Sequence, residues 1–210
     1  MRSPLRSRWS KPVVFLGCLA PIVLLLVEAM RNGLGANPIE YITHFTGDWT
    51  LRLLLITLAI TPVRKLLHQP DLIRFRRMLG LWAFFYGCLH LTTWMWLDKF
   101  FDPAEMWADV VKRRFITAGM VGFVAMVPLA ITSTKGWIRR LGRSWSRLHR
   151  LIYLSALAGV IHYYWLVKSD IRLPVLYGVI LVVLLGLRLV KAKVSGTRAE
   201  PKRQLLRSET

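Results

Sequence analysis

The stretch Arg76-Arg77-Met78-Leu79-Gly80-Leu81-Trp82-Ala83-Phe84-Phe85-Tyr86-Gly87-Cys88-Leu89-His90-Leu91-Thr92-Thr93-Trp94-Met95-Trp96-Leu97 decides the fold. After the paired arginines, 20 residues pass without an Asp, Glu, Lys or Arg, and a single histidine stands well inside them. A helix that crosses a bilayer needs about 20 predominantly apolar residues. Working outward, we read five more such runs: Val13–Met30, Trp49–Leu67, Phe115–Ser133, Leu148–Val167 and Pro174–Leu189. The second is interrupted by Arg52 and closes at Thr61-Pro62-Val63-Arg64, so its apolar centre is short. The fold class expected is an all-α integral membrane protein, a bundle of six transmembrane helices.

Composition agrees. The chain has 210 residues, with 30 Lys+Arg against 11 Asp+Glu for a formal charge of +19, and is 54% hydrophobic. A soluble protein this basic usually binds nucleic acid, yet this apolar fraction exceeds what one small soluble core needs. Disorder is excluded because charge excess produces it only at low hydrophobicity. The two properties are reconciled when charge collects in short runs between apolar segments, which leaves no role for nucleic acid and makes lipid the chain's surroundings.

The charge also orients the spans. The amino terminus, the two loops after the second and fourth spans and the tail from Arg188 hold 22 of the 30 basic residues, while 8 of the 11 acids fall on the other side. By the positive-inside rule both termini are cytoplasmic, in a multi-pass membrane protein. Residues 1–12 then form a basic cytoplasmic amino terminus, 13–191 the transmembrane domain and 192–210 a polar, disordered cytoplasmic tail. Val27-Glu28-Ala29 has the small-residue spacing of a signal cleavage site, but the apolar run before it is long for a signal and Glu28 is an awkward neighbour, which favours a retained anchor. Ala118/Gly122 and Ser155/Gly159 have the small-xxx-small spacing that lets helices approach closely. No internal repeat is evident.

Cys18 and Cys88 lie inside apolar runs with no CxxC or CxxCH motif, which makes both buried small hydrophobes. Of the five histidines, His44 and His68 fall in loops and read as solvated imidazoles. His90, His149 and His162 belong to membrane segments, where ionisable side chains are costly and usually functional. His90 lies 13 residues beyond Arg77 and His162 15 beyond Arg147. At about 1.5 Å per residue both imidazoles sit roughly 20 Å from the inner boundary. Two histidines at one depth on different helices can hold one haem iron from both sides, giving a closed, low-spin centre suited to moving electrons. On an undistorted helix His149 is about 220° around the axis from His162 and does not share its face. A second haem near the inner surface, shared with His68 or a non-histidine ligand, is the place left for it. The alternative is that the histidines are interhelical hydrogen-bond partners in a small polytopic transporter. Proton coupling would need acids at depth, and the second to sixth runs have none away from their ends. Arg76, Arg77 and the arginines before the fifth run serve as topogenic charge, some of them also as partners for haem propionates or a flavin phosphate.

Taken in order, Arg76-Arg77-Met78-Leu79-Gly80-Leu81 with Tyr86 and Leu89-His90, Lys112-Arg113-Arg114-Phe115-Ile116-Thr117, Pro128-Leu129-Ala130-Ile131-Thr132-Ser133, Arg140-Leu141-Gly142 with Trp145 and Leu148-His149-Arg150-Leu151-Ile152-Tyr153, and His162-Tyr163-Tyr164-Trp165 resemble the MsrQ (YedZ) family. That family lies within the ferric-reductase-like transmembrane superfamily, and the resemblance covers nearly the whole chain. It implies a b-type cytochrome also associated with FMN, with ligand histidines at His90, His149 and His162. It further implies that electrons come from the quinone pool and pass to the periplasmic molybdopterin enzyme MsrP, which repairs methionine sulfoxide in envelope proteins. This chain would then be an electron-transfer subunit and not the catalytic one. Only about 20 residues follow the sixth run, too few for the flavin and nicotinamide domain of NADPH oxidases. Quinol or a separate flavin reductase is the donor expected. A stand-alone ferric-reductase-like cytochrome is the alternative within redox chemistry.

Overall fold

The computed structural model describes residue 5 and residues 7–197, with side chains through Arg188. Among these residues it is helical throughout, with no strand: α1 Ser10–Met30, α2 Pro38–Leu66, α3 Ile73–Thr93, α4 Pro103–Lys112, α5 Arg114–Ile131, α6 Lys135–Leu141, α7 Arg143–Leu148, α8 Leu151–Leu166 and α9 Arg172–Thr197. Each of the six expected runs lies on a long helix, and α4, α6 and α7 are short helices in segments read as loops.

The boundaries move for identifiable reasons. Helix α2 starts 11 residues before the apolar run because Asn37 caps it, accepting from the Glu40 amide at 3.3 Å and donating to the Glu40 carboxylate at 2.9 Å, with Pro38 at the first position. That cap satisfies one otherwise orphaned amide, is steadied by the side-chain bond, and starts the helix ahead of its hydrophobic segment. Asp102 and Pro103 start α4 in the same way, the Asp102 carboxylate accepting from the Ala104 and Glu105 amides. After Thr93, α3 widens into a π-helical turn over Trp94–Asp98 before Lys99 ends it. The fifth run was expected to be continuous from Leu148, but α7 ends there and α8 begins only at Leu151. His149 therefore lies in the joint between two helices and not on the face of α8. At the other end α9 carries on to Thr197, so the tail expected from Ala192 starts as helix; residues 198–210 lie outside the described residues.

Replacing Asn37 with alanine is expected to cost about 1 kcal/mol at the start of α2, which corresponds to roughly fivefold faster amide exchange over its first turn. Hydrogen-exchange mass spectrometry of residues 38–44 checks it; unchanged protection there would mean that packing, not the cap, sets the start of the helix.

Helices α2, α3, α5 and α8 form a ring in which α2 packs on α3, α3 on α5, α5 on α8 and α8 on α2. The α2/α3 and α5/α8 hairpins pack far more extensively within themselves than against each other. Helix α1 lies outside α3, α4 leans on α5, and α9 fills the side between α8 and α2. The core runs through Leu53, Leu54, Leu58, Ala83, Tyr86, Ala156 and Leu181. Tyr86 donates to the Cys18 carbonyl at 2.8 Å, tying α1 to α3. Arg52, the charge that interrupts the second run, pairs with Asp48 at 3.2 Å and donates to the Tyr177 hydroxyl at 2.9 Å, so it links α2 to α9 without being left unpaired. A buried or half-buried charge is tolerable only on such terms. The small-xxx-small spacing is used: Ser155 donates to the Gly122 carbonyl at 2.9 Å, and a Cβ at Gly122 would touch Ala158 at 3.4 Å.

Apolar side chains cover the outside as well as the core. Val13, Leu16 and Leu24 on α1, Val124 on α5 and Val179 and Val182 on α9 are all exposed. By length and composition alone, two helices among the described residues qualify to cross a membrane: α1 and α5. The other helices that carry expected spans fall short for reasons visible in their make-up. Helix α2 includes Glu40, Asp48, Arg52, Arg64 and Lys65, α3 opens with Arg74, Arg76 and Arg77, and α8 has 16 residues.

Candidate functional site

His90 and His162 face each other across the ring, their imidazole centres 6.0 Å apart and their planes at 80°. Each ring is fixed in the same way. His90 Nδ1 lies 2.9 Å from the Thr43 carbonyl of α2, and His162 Nδ1 lies 2.6 Å from the Phe115 carbonyl of α5. A carbonyl can only accept, so in both rings Nδ1 carries the proton and donates, and Nε2 keeps its lone pair. This is the arrangement that orients metal-ligating histidines. One turn beyond each carbonyl stands a glycine on which the ring lies. A Cβ at Gly47 would sit 3.0 Å from His90 Cε1, and one at Gly119 2.8 Å from His162 Nδ1.

The two halves of the site are the same structure twice. Thr43, Gly47, Thr50, Leu51 and Leu54 on α2 correspond to Phe115, Gly119, Gly122, Phe123 and Met126 on α5, each 72 residues later. Gly87, His90, Leu91 and Trp94 on the α3 segment correspond to Gly159, His162, Tyr163 and Leu166 on α8 at the same offset. The expectation of no internal repeat is thus corrected: the repeat is confined to positions that line the site, and the residues between them differ.

Between the hairpins these residues enclose a cavity of about 520 Å³. That is within the range of roughly 300–1,000 Å³ typical of cofactor-sized pockets. Its wall is mainly apolar, and Gly87, Gly122 and Gly159 keep it wide. Its rim lies at the end of the bundle that carries α4, where Asn37, Glu40, His44, Asp98 and Arg113 line it. Next to the rim, Asp109 binds Lys99 at 2.8 Å and Arg113 at 3.3 Å, and the hydrogen bond that Lys99 donates to Asp109 holds its ammonium above the ordinary range. His44, read from sequence as a solvated loop residue, belongs to this rim, as does Arg113, which the sequence reading did not single out. Both depend on where α2 and α5 begin, and the cap at Asn37 was the signal for the first.

The other residues put forward from sequence stand elsewhere. His149 stacks on Trp145 with ring centres 3.9 Å apart, its Nδ1 lies 3.1 Å from the Trp145 carbonyl, and its buried Nε2 has no hydrogen-bond partner. It is at the opposite, α7 end of the bundle and does not line the cavity. Arg76 is close enough to His149 to be felt by it electrostatically, while Arg77 is exposed. Burial first, and then the charge of Arg188, hold the Arg76 guanidinium below its ordinary range. Arg188 donates to the Leu58 carbonyl at 2.6 Å and to the Tyr153 hydroxyl, and its buried Nε has no partner. Arg76, Arg188 and His149 make a second polar cluster, rich in cations, at the α7 end. The sequence reading named two of its members and missed Arg188.

No group of three or more His, Cys, Asp or Glu side chains among the described residues is placed to hold a metal ion. What the fold offers is two opposed imidazoles over an apolar cavity, the site of a membrane redox protein of the ferric-reductase type. Comparison with known proteins agrees: residues 46–160 match the family described as ferric reductase like transmembrane component. A protein from Herminiimonas arsenicoxydans named protein-methionine-sulfoxide reductase heme-binding subunit MsrQ is 52% identical over 189 residues, covering 89% of this chain and 87% of its own length. Proteins of the same name from Caulobacter vibrioides and Xanthomonas campestris pv. campestris are 48% and 53% identical, covering 90% and 87% of this chain and 90% and 86% of their own. The chain belongs to the ferric-reductase-like transmembrane family and, within it, to the MsrQ proteins. Among solved structures none matches it.

Proposed function

We propose that this chain is the haem-binding membrane subunit of a protein-methionine-sulfoxide reductase, and that it passes electrons to a periplasmic molybdoenzyme of the MsrP kind. The observation that carries the reading is the pair His90 and His162. Two imidazoles that share one metal atom through Nε2, at about 2 Å each, have ring centres roughly 6 Å apart, and the observed separation is 6.0 Å. With only two protein ligands, a bare ion would be poorly held, whereas a haem brings four nitrogens of its own. Bound there, a b-type haem supplies a reversible one-electron couple.

The chain's own residues do the rest. The Thr43 and Phe115 carbonyls fix the tautomer and aim of each imidazole. Gly47 and Gly119 let the rings lie against backbone. Leu51, Leu54, Phe123 and Met126 keep water from the centre of the cavity. A haem held by both His90 and His162 would serve to carry electrons, leaving substrate chemistry to the partner enzyme.

The finer reading follows from the exposed apolar faces of α1, α5 and α9 and from the segregation of charge. The chain crosses a bacterial inner membrane six times over residues 13–191, with both termini, 1–12 and 192–210, cytoplasmic, which puts the rim of the cavity at the periplasmic face. Quinol, or a flavin reductase at the basic inner face, is the donor. The cluster of His149, Arg76 and Arg188, with Arg77 beside it, lies at that inner end, where a second haem or FMN would bind. A reduced-minus-oxidised spectrum of the purified protein, with haem quantified against protein, tests the centre of the reading. We expect b-type bands with at least one haem per chain; their absence from protein made with haem supplied would sink it. In cells, loss of this chain should leave periplasmic methionine sulfoxide unrepaired while the molybdoenzyme still works with artificial electron donors. Normal repair would show that the partner is wrong.

A further inference from the structure

The cavity between His90 and His162 is closed by apolar side chains everywhere except at its rim. Inside, Thr50 donates to the Thr46 carbonyl of its own helix and Ser155 across to the Gly122 carbonyl of α5, while the buried Trp94 indole nitrogen has no hydrogen-bond partner. At the rim, Asn37 and Glu40 are bonded to each other, Glu40 also lies 3.9 Å from His44, and Asp98 lies 3.7 Å from Lys99. Arg113 differs. It is the one lysine or arginine among the described residues that lines the cavity. Asp109 meets its Nε at 3.3 Å, and no other carboxylate among the described residues pairs with it.

Haem b carries two carboxylates on one edge of the macrocycle. Burying that edge against Leu54, Met126 or Phe123 would strand two charges in an apolar wall, at a cost of several kcal/mol per ion. At the rim the same edge meets the Arg113 guanidinium, whose planar fork of donors pairs well with carboxylates. We propose that Arg113 holds the carboxylate edge of the macrocycle, so that the haem sits with its acidic side toward the α4 end. The proposal rests on the haem reading above. Arg76 and Arg77, expected from sequence to meet haem propionates or a flavin phosphate at the inner boundary, do not line this cavity.

The chemistry can be isolated by removing the carboxylates from the ligand. Full-length protein freed of haem in detergent is titrated with haem b and with its dimethyl ester, for the wild type, Arg113→Gln, Arg113→Lys and Arg76→Gln. A hydrogen-bonded charge pair of this kind is worth about ten- to a hundredfold in affinity. Arg113→Gln should therefore weaken haem b by that factor and leave the ester unchanged, Arg113→Lys should recover part of the loss, and Arg76→Gln should behave as wild type at the low-spin bis-histidine centre. Any general damage to folding would reduce both ligands together, so an equal loss for haem and ester overturns the proposal. So does an ester-sensitive loss in Arg76→Gln instead of Arg113→Gln, or no loss in either. If the wild type binds neither ligand, the haem reading itself falls.

Discussion

Alanine at either His90 or His162 is expected to abolish the b-type spectrum attributed to the paired site, while alanine at His149 leaves it in place. Each imidazole is held by a carbonyl of the opposite helix of its own hairpin, at 2.9 Å for His90 and 2.6 Å for His162. Loss of such a supporting hydrogen bond alone typically costs about 10–100-fold in metal affinity, and loss of the ligand should cost more. The remaining histidine would be left opposite a methyl group, with room for water or added imidazole. Imidazole in the buffer should accordingly restore part of the spectrum to either variant and none to the double variant. Bands unchanged in His90→Ala and in His162→Ala would remove these residues from the site. A loss in His149→Ala equal to theirs would mean that the two ends of the bundle do not act independently.

The second large effect comes from a residue with no side chain at all. Valine at Gly119 should displace haem nearly as completely as the loss of His162, although Gly119 touches no ligand atom of the metal. Its Cβ would stand 2.8 Å from His162 Nδ1 and 3.1 Å from Cε1, closer than real contacts allow. On local grounds the change should help, because glycine costs a helix about 1 kcal/mol relative to alanine. Overpacking of about 1–3 kcal/mol opposes that gain and falls directly on the imidazole. The expected result is a protein with undiminished helical circular dichroism and at least about tenfold less bound haem. Gly17, whose Cβ would meet nothing within 4 Å, serves as the control and should accept alanine without effect. If Gly119→Val binds haem as the wild type does, the ring does not lie where the geometry puts it.

Most of the site was legible where distance along a helix could be counted. His90 and His162 were paired from their depths alone, because a helix converts residue number into height at a fixed rate. What the sequence concealed were features set by helix ends. Arg113 and His44 reach the rim only because α2 starts at Pro38 and α5 at Arg114, and the Asn37-Pro38-Ile39-Glu40 cap was a readable sign of the first start. His149 was placed on the wrong element because no Gly or Pro stands beside His149 and Arg150 to mark the joint there. Helices α6 and α7 were hidden by charge, since Lys135–Arg150 reads as a basic loop until Thr134 and Gly142 are seen to punctuate it. Arg188 was counted only as topogenic charge, and its inward turn to Leu58 and Tyr153 has no sequence signature. The repeat escaped notice because only three of its nine paired positions, Gly47/Gly119, Gly87/Gly159 and His90/His162, carry the same residue.

The duplicated hairpins carry a consequence for how the protein is made. A ribosome delivers α2 and α3 complete, with His90 already bonded to Thr43, before any of α5 to α8 exists. That half can insert and pack as a unit, yet it holds only one of the two ligands. The second half arrives with its own internally finished pairing of His162 and Phe115, and the weaker junction is the one between them. Loading of the haem proposed above therefore waits for both hairpins and reports on completed synthesis: a truncated chain can be helical, inserted and stable within its hairpin, and still be colourless.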